Sequence, residues 1–461
     1  MGAGVYHGGR ESVGMTSTRP AALVMSYQYP GRYAFNVLAG AVEAGLPADR
    51  VRMDFPRDRE ALLEAARRRA REGCAVVVAW SFYSASFPAA ASELRWLKAQ
   101  LPEGALCVAG GVHATAEPLE TLQAGFDLIA VGEGERSLLE LLDRCARGED
   151  PRGARGMAHL DAAGRLRASP RPELVALDDF PPFASAHRRI GAIEITRGCI
   201  YACRFCQTPF ISKARFRHRS VQGVRDAVDA IRRSGIRRDA RFISPTALSY
   251  GSPDESVNLP AVEALLAASR EAIGPGGRVY YGTFPSEIRP EHVTPEALAL
   301  LRRYADNRSV IIGGQSGSES VLARSHRGHG VEAIRRATRI AVECGFVPDV
   351  DFILGLPGEG PEEIEETVAL MHELADAGAR VHAHTFLPLP GTPFRDAAPG
   401  SVDPETVRRL DRLAARGKLY GGWKRQVTLA RELSERRRRA ARGAAARGAS
   451  PPGGAVTPRG T

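Results

Sequence analysis

Twice along this chain, short apolar runs alternate with amphipathic stretches, and that double alternation restricts the possible fold more than any other feature. From Ala21 to Asp150 the runs "AALVMSY", "VRMDF", "CAVVVAWS", "ALCVAGG" and "DLIAVGEGE" are separated by helical patterns. One of these, "REALLEAARRRAREG", carries Leu62, Leu63 and Ala66 on a single stripe. Short buried runs between helices predict an α/β domain with a doubly wound, Rossmann-like parallel sheet. Ligands of such sheets sit at the strand C-termini, where this sequence places "WSFYSAS", "AGGVHATAEP" and "VGEGE". A second series begins at Ile190, with strands expected at 190–196, 240–244, 278–283, 309–314, 347–354 and 380–386. Its clearest helix is "PEEIEETVALMHELADAG", with Pro361 at the start, acids in the first turn, an apolar face of Ile364, Val368, Met371 and Leu374, and Gly378 at the end. Six strand–helix units predict a partial (βα)6 relative of the eight-fold barrel, with functional residues at the strand C-termini.

Between the two series, "AAGRL" suggests a turn and the prolines of "DDFPPF" resist regular structure. The expected division is a doubly wound domain at 21–150, a linker at 151–189, a barrel at 190–395, a helical extension at 396–432 and a disordered basic tail at 433–461. The net charge of +10 is concentrated in that tail, where eight arginines from Arg431 onward face two glutamates. Its Arg, Ala, Gly and Pro offer little to bury. A nucleic-acid partner is therefore not expected from charge. No apolar run is long enough for a membrane span, and no apolar segment follows a basic start in the first twenty residues. A cytoplasmic location with reduced thiols, and no membrane partner, is expected.

Three of the seven cysteines fall in "TRGCIYACRFCQTPF", directly after the first strand of the second series. In a reducing compartment, Cys199, Cys203 and Cys206 point to a metal site before a disulfide framework. Three thiolates on a [4Fe–4S] cluster leave one iron open to an outside ligand. Zinc, with His218 as a fourth ligand, is the competing reading, although no second cysteine pair accompanies it. Cys74 and Cys107 lie in expected strands and Cys145 in an expected helix, positions that suit small buried hydrophobes.

The loop "CIYACRFC" resembles that of the radical S-adenosylmethionine (SAM) enzymes, C-x₃-C-x-(aromatic)-C, with Phe205 as the aromatic. The resemblance implies a [4Fe–4S] cluster whose free iron chelates SAM. An electron then releases a 5′-deoxyadenosyl radical, and an electron donor such as flavodoxin or ferredoxin is implied. "VIIGGQSGSESVL" resembles the family's ribose- and methionine-binding turn, implying cofactor contacts from Gln315, Ser316 and Ser318, with Gln315 where many relatives have Glu. Arg327, twelve residues on, matches relatives resembling oxygen-independent coproporphyrinogen oxidases, in which an arginine holds the methionyl carboxylate. On its own residue type, Arg327 equally suits a surface helix. "DVDFILGLPGE" resembles the fifth-strand motif, implying that backbone from Ile353 to Gly355 lies against adenine.

"AGGVHATAEPLE" and "DLIAVGEGERSLLELL" are similar to the cobalamin-binding domain found ahead of many radical enzymes. That likeness implies that Ser81, Gly110, Gly111 and Gly132 open a channel for the cofactor's nucleotide tail. The D-x-H-x-x-G motif that supplies a lower histidine ligand is absent, since "SYQYPGR" stands in its place. His113, beside the glycine pair, reads more simply as a loop residue bonded to backbone. Overall the chain resembles the B12-binding domain/radical SAM domain proteins. The resemblance implies cobalamin-dependent methylation of an unactivated carbon, with cyclisation or rearrangement as an alternative. A methylthiotransferase would need a second cluster in the first domain, and a non-catalytic cobalamin or iron–sulfur sensor is the alternative of another class. Tyr250, Tyr281 and Glu287 are the expected substrate-facing residues.

Overall fold

The computed structural model describes residues 19–212 and 214–446. Its first sheet is built on β1 (Ala21–Met25), buried at every position. Helix α1 (Arg32–Gly45), β2 (Val51–Asp54), α2 (Arg59–Arg71), β3 (Ala75–Ser81), α3 (Phe87–Lys98) and β4 (Leu106–Gly110) follow in turn. After α4 (Gly111–Ala116) and α5 (Pro118–Gln123) come β5 (Leu128–Ala130) and α6 (Glu135–Arg147). The parallel strands lie in the order β2-β1-β3-β4-β5. Strand order reverses between β1 and β3, and the crevice at that switch point is where a doubly wound sheet takes its ligand. Phe35, Val42 and Leu141 pack on one face of the sheet, and Leu62, Leu94 and Leu97 on the other. All five strands read from the apolar runs are present.

Residues 151–168 belong to this sheet, which differs from the expected linker. β6 (Met157–Leu160) pairs antiparallel with β5, and β7 (Leu166–Ala168) pairs antiparallel with β6. Asp161 makes the hairpin, its carboxylate accepting from the backbone N–H groups of Ala163 and Arg165 at 2.9 Å each. The hairpin covers a three-residue strand whose outer edge would otherwise lie unpaired.

The second sheet opens with β8 (Ile193–Glu194), after which β9 (Thr196–Arg197) leaves it for a ribbon. The chain continues through α7 (Thr208–Ile211), β10 (Arg217–His218), α8 (Val221–Ser234), β11 (Asp239–Ile243), α9 (Leu259–Ile273) and β12 (Arg278–Tyr280). Then come α10 (Pro295–Tyr304), β13 (Ser309–Gln315), α11 (Glu319–Arg324), α12 (Val331–Glu343) and β14 (Val347–Leu354). Helix α13 (Pro361–Asp376), β15 (Arg380–Thr385), α14 (Pro404–Ala415), β16 (Leu419–Tyr420) and α15 (Trp423–Ala446) complete it. Strands β8, β11 and β12 pair in parallel, as do β13 to β16. Bridges Ser244–Ser286 and Ile288–Ile312 stitch the two groups into a partial barrel. All six expected strands are present, and β16 adds a short seventh. The first ends early because β9 turns away to pair with β10, which flanks the cysteine loop. Val368, Met371 and Leu374 are buried in the barrel core, as the pattern of α13 requires.

The tail expected to be disordered from 433 is helical as far as Ala446, because α15 is anchored to both domains. Ala430 is fully buried and Leu433 is 2% exposed. Arg436 Nε bonds Glu120 at 2.8 Å while its guanidinium lies 5.1 Å from the Phe87 ring centroid. Arg437 pairs with Asp396 on the barrel side. Two arginines of the run thus act as fasteners rather than as a solvated charge block. Residues 447–461 lie outside the described residues. No helix among the described residues is long and apolar enough to cross a membrane. Leu433→Ala is expected to lower stability by about 2–4 kcal/mol in urea unfolding. An unchanged midpoint would mean that α15 does not hold the two domains.

Candidate active site

From β8 the chain passes through the short β9 into the cysteine loop at the mouth of the barrel. Two residues of this loop take the left-handed conformation, Gly198 at φ 82° and Ala202 at φ 52°. Gln315 and His326, which border the same region, are also left-handed at φ 76° and 55°. Three of the four non-glycine residues with positive φ among the described residues therefore flank one cavity, a concentration of strain typical of functional sites. That cavity, about 590 Å³, is lined by Cys199, Cys203 and Cys206 on one side. This volume suits a small-molecule or cofactor site.

The zinc reading loses its fourth ligand. His218 Nε2 donates to the Ser252 carbonyl at 2.8 Å, and Nδ1 accepts from Thr196 Oγ1 at 3.0 Å. Burial pushes the Cys199 thiol up to about 12 and raises Cys206 as well. These thiols stay protonated until a metal displaces the proton, which is how a cysteine metal site behaves before loading.

Arg327 is not a surface residue. It is 4% exposed and lines the cavity with Nη1 3.6 Å from Cys203 Sγ. Its Nη2 donates to the Gly313 carbonyl at 2.7 Å and lies 3.3 Å from Glu287 Oε1. A Cβ on Gly313 would sit 2.3 Å from Arg327 Nη2 and 2.9 Å from Glu287 Oε1, so this glycine makes room for the ion pair. Burial raises Glu287 in spite of Arg327. Arg289, 2% exposed, stacks its guanidinium 3.6 Å from the Tyr201 ring centroid and supports the loop from below.

Of the other residues expected to hold SAM, Phe205, Gln315 and Ile353 line the cavity. Ser316, Ser318 and Gly355 do not. Ser316 Oγ is bonded to Thr367 Oγ1 at 3.2 Å and Ser318 Oγ to Ser320 Oγ at 3.1 Å, which locks the turn itself. The Gly355 N–H goes to Glu359, and a Cβ there would meet Ser401 N at 2.7 Å, so its glycine serves chain packing. Glu287 faces the cavity, but Tyr250 and Tyr281 do not. Their hydroxyls donate to the carbonyls of Arg219 at 2.7 Å and Ala247 at 2.6 Å, inside the core. Sequence reasoning missed Asp351, His382 and His384 on the opposite wall. The alternation in "DVDFIL" and "RVHAHT" places them on one strand face and is the signal that could have found them.

A second cavity of about 340 Å³ lies over the C-terminal ends of the first sheet, and Ser81, Gly110, Gly111 and Gly132 all line it. A Cβ on Gly132 would meet nothing within 4 Å, and one on Gly110 only ordinary contacts at 3.8 Å, so both positions look onto open space. Small and apolar neighbours, Ala34, Val37, Ala79 and Ala109 among them, suit the flat end of a nucleotide tail. His113 is not in this wall. It is fully buried, stacks on Phe87 at 4.3 Å and contacts Ser84 Oγ at 3.0 Å, and burial drags it down to about 3. Between the two cavities, Arg197 binds Glu194 at 2.6 Å and Glu135 at 2.7 Å, with Glu133 at 3.5 Å.

Residues 193–371 match the radical SAM superfamily. The tRNA-2-methylthio-N(6)-dimethylallyladenosine synthase of Pelobacter propionicus is 29% identical over 242 residues, 52% of each chain, so this chain spans about half the length of that relative. The radical S-adenosylmethionine methyltransferase TsrM of Kitasatospora setae, with cobalamin and a [4Fe–4S] cluster bound, superposes with a TM-score of 0.66 at 18% identity, over 83% of this chain and 74% of that one. The cobalamin-dependent S-adenosylmethionine radical enzyme OxsB superposes at 0.58 and 16% identity, over 76% and 52%. At these identities the structural likeness is one of fold. The domain match and the cysteine loop at the barrel mouth identify residues 193–371 as a radical SAM domain, and enzymes of that superfamily use a [4Fe–4S] cluster and S-adenosylmethionine.

Proposed function

We propose that this protein is a cobalamin-dependent radical SAM methyltransferase acting on an unactivated carbon. The carrying observation is that consecutive residues at the end of β11 line the two cavities: Ile243 the one over the first sheet, and Ser244 the one with the cysteines. On this reading Cys199, Cys203 and Cys206 hold the cluster, Arg327 and Gln315 hold SAM, and Ser81, Gly110, Gly111 and Gly132 hold the cobalamin tail. With both in place, the cluster supplies the electron that cleaves SAM and cobalamin supplies a transferable methyl group. Arg327 presents a fixed guanidinium fork to the SAM carboxylate. Phe205 and Ile353 would help keep water from the reacting centre, where a carbon radical would otherwise be quenched. A reductant is required, as for the superfamily at large.

The methylthiotransferase reading is less well supported. Cys107 packs in the core on one face of the first sheet and Cys145 against the core on the other, too dispersed for a second cluster. Burial lifts both, to about 12 and about 11. An RNA substrate stays among the candidates, because the Pelobacter relative is a tRNA-modifying synthase by name.

Anaerobically reconstituted protein given SAM and a reductant is expected to form 5′-deoxyadenosine and to contain about four irons per chain, not the roughly eight that two clusters require. No 5′-deoxyadenosine from the intact protein would remove the catalytic reading. Gly110→Leu, at a backbone φ of −145° that any residue tolerates, is expected to abolish cobalamin uptake without changing iron content. Normal uptake would move the cobalamin site elsewhere. Gly313→Ala is expected to displace Arg327 and weaken SAM binding about tenfold, the scale of one charge-assisted hydrogen bond, while the thermal midpoint moves little. Unchanged SAM affinity would mean that Arg327 does not hold the carboxylate.

A further inference from the structure

The wall of the cysteine cavity also carries a hydrogen-bonding device built from Asp351, His382 and His384. Asp351 on β14 and His382 on β15 are register partners, and His384 lies two residues further on the same face of β15. Asp351, His382 and His384 all line the cysteine cavity, and their ligand-capable atoms lie within 4.8 Å of one another.

The hydrogen-bond network assigns both imidazole tautomers. Asp351 Oδ1 sits 2.9 Å from His382 Nδ1, and a carboxylate accepts, so Nδ1 carries the proton and Nε2 is left as an acceptor. Tyr420 stacks flat on the same ring, 4.6 Å between centroids at 10°, and fixes its plane. For His384 the assignment runs through Gln426 at the start of α15. The Thr385 N–H donates to Gln426 Oε1 at 2.8 Å, which leaves the Gln426 amide nitrogen as donor to His384 Nδ1 at 3.3 Å. His384 Nε2 therefore carries the proton and is a donor. Burial pulls His384 below the usual imidazole range, which favours the neutral ring. Among the described residues, neither Nε2 has a protein partner.

The result is one acceptor and one donor side by side, on rings 4.2 Å apart. We propose that His382 and His384 read a complementary N–H and C=O edge on the substrate, so that the substrate class is a neutral, planar lactam or amide-bearing heterocycle oriented against the cluster. This rests on the reading of the cavity as the reaction site. Phe205, Phe284, Ile311 and Ile353 supply apolar surroundings for a flat ring. In such surroundings an unmatched donor or acceptor is left buried and unpaired, which makes the pair selective. A divalent cation fits less well. Ligation through His384 Nε2 would move its proton to Nδ1, against the Gln426 donor.

The experiment uses the full chain with ¹⁵N-labelled histidine and needs neither SAM turnover nor a reductant. NMR is expected to show His382 as the Nδ1–H tautomer and His384 as the Nε2–H tautomer. 2-Pyridone should shift both and bind about tenfold more tightly than N-methyl-2-pyridone, a discrimination expected when a buried polar pair is matched or left unpaired. His382→Ala and His384→Ala should each reduce that discrimination to less than twofold, and Gln426→Leu should release the His384 tautomer. Reversed tautomers, or equal binding of the two pyridones, would overturn the proposal. So would stoichiometric Zn²⁺ binding, lost in His384→Ala, by a chain lacking Cys199, Cys203 and Cys206. Failure of the radical reading would show separately, as absence of 5′-deoxyadenosine from the intact enzyme.

Discussion

Arg197 is the constraint on which the architecture turns. It stands one residue before the glycine that opens the cysteine loop, yet its guanidinium is held by Glu194 of the barrel and by Glu133 and Glu135 of the first domain. Arg217, from the ribbon strand that pairs with the segment carrying Arg197, adds a bidentate contact to Glu133, one arm at 3.0 Å. Despite burial, Arg217 and Arg197 hold Glu133 below the usual carboxylate range. Ions taken out of water in this way add little net stability, but losing one partner costs about 3–5 kcal/mol because a buried charge is left alone. The network therefore acts as a lock: the floor of one cavity and the entry of the cysteine loop cannot move independently.

From that lock the rest of the site follows. The loop leaves Arg197 through Gly198 at positive φ, and the three thiols face a cavity whose other walls are β11, the 284–289 segment, β13, β14 and β15. Gly313 brings Arg327 against β13 so that a cation sits beside Cys203. The guanidinium in that position favours an anion such as a carboxylate, and Glu287 at 3.3 Å keeps the cation from being unpaired before one arrives. Helix α15 closes the opposite side: Trp423 O accepts from Thr385 Oγ1 at 3.0 Å, which seats Gln426 against His384. One long helix thus ties the first domain, the barrel and the far wall of the cavity together.

Much of this was legible in the sequence, for physical reasons. Buried parallel strands are apolar throughout, so their runs are visible without partners, and three cysteines within eight positions point to a metal centre before a disulfide framework. Arg327 could not be placed by its type, because burial and exposure both suit an arginine until its partners are known. Tyr250 and Tyr281 could not be placed by type, because a tyrosine near a barrel mouth can turn either way, and here backbone carbonyls inside the core take the hydroxyls. Ser316 and Ser318 lie outside the cavity wall, their short hydroxyls bonded locally. The ordered start of the basic tail was hidden because an arginine run looks solvated until Glu120 and Asp396 arrive from other parts of the chain. His382 and His384 were within reach, since their period of two marks one strand face.

The central claim is that two cofactor cradles are held rigidly against each other across Arg197. Pulse EPR on protein carrying Co(II) cobalamin and the reduced cluster measures this directly through the dipolar coupling of the two spins. The account predicts a single narrow distance distribution. No coupling, or a distribution as broad as two independently moving domains would give, would contradict it.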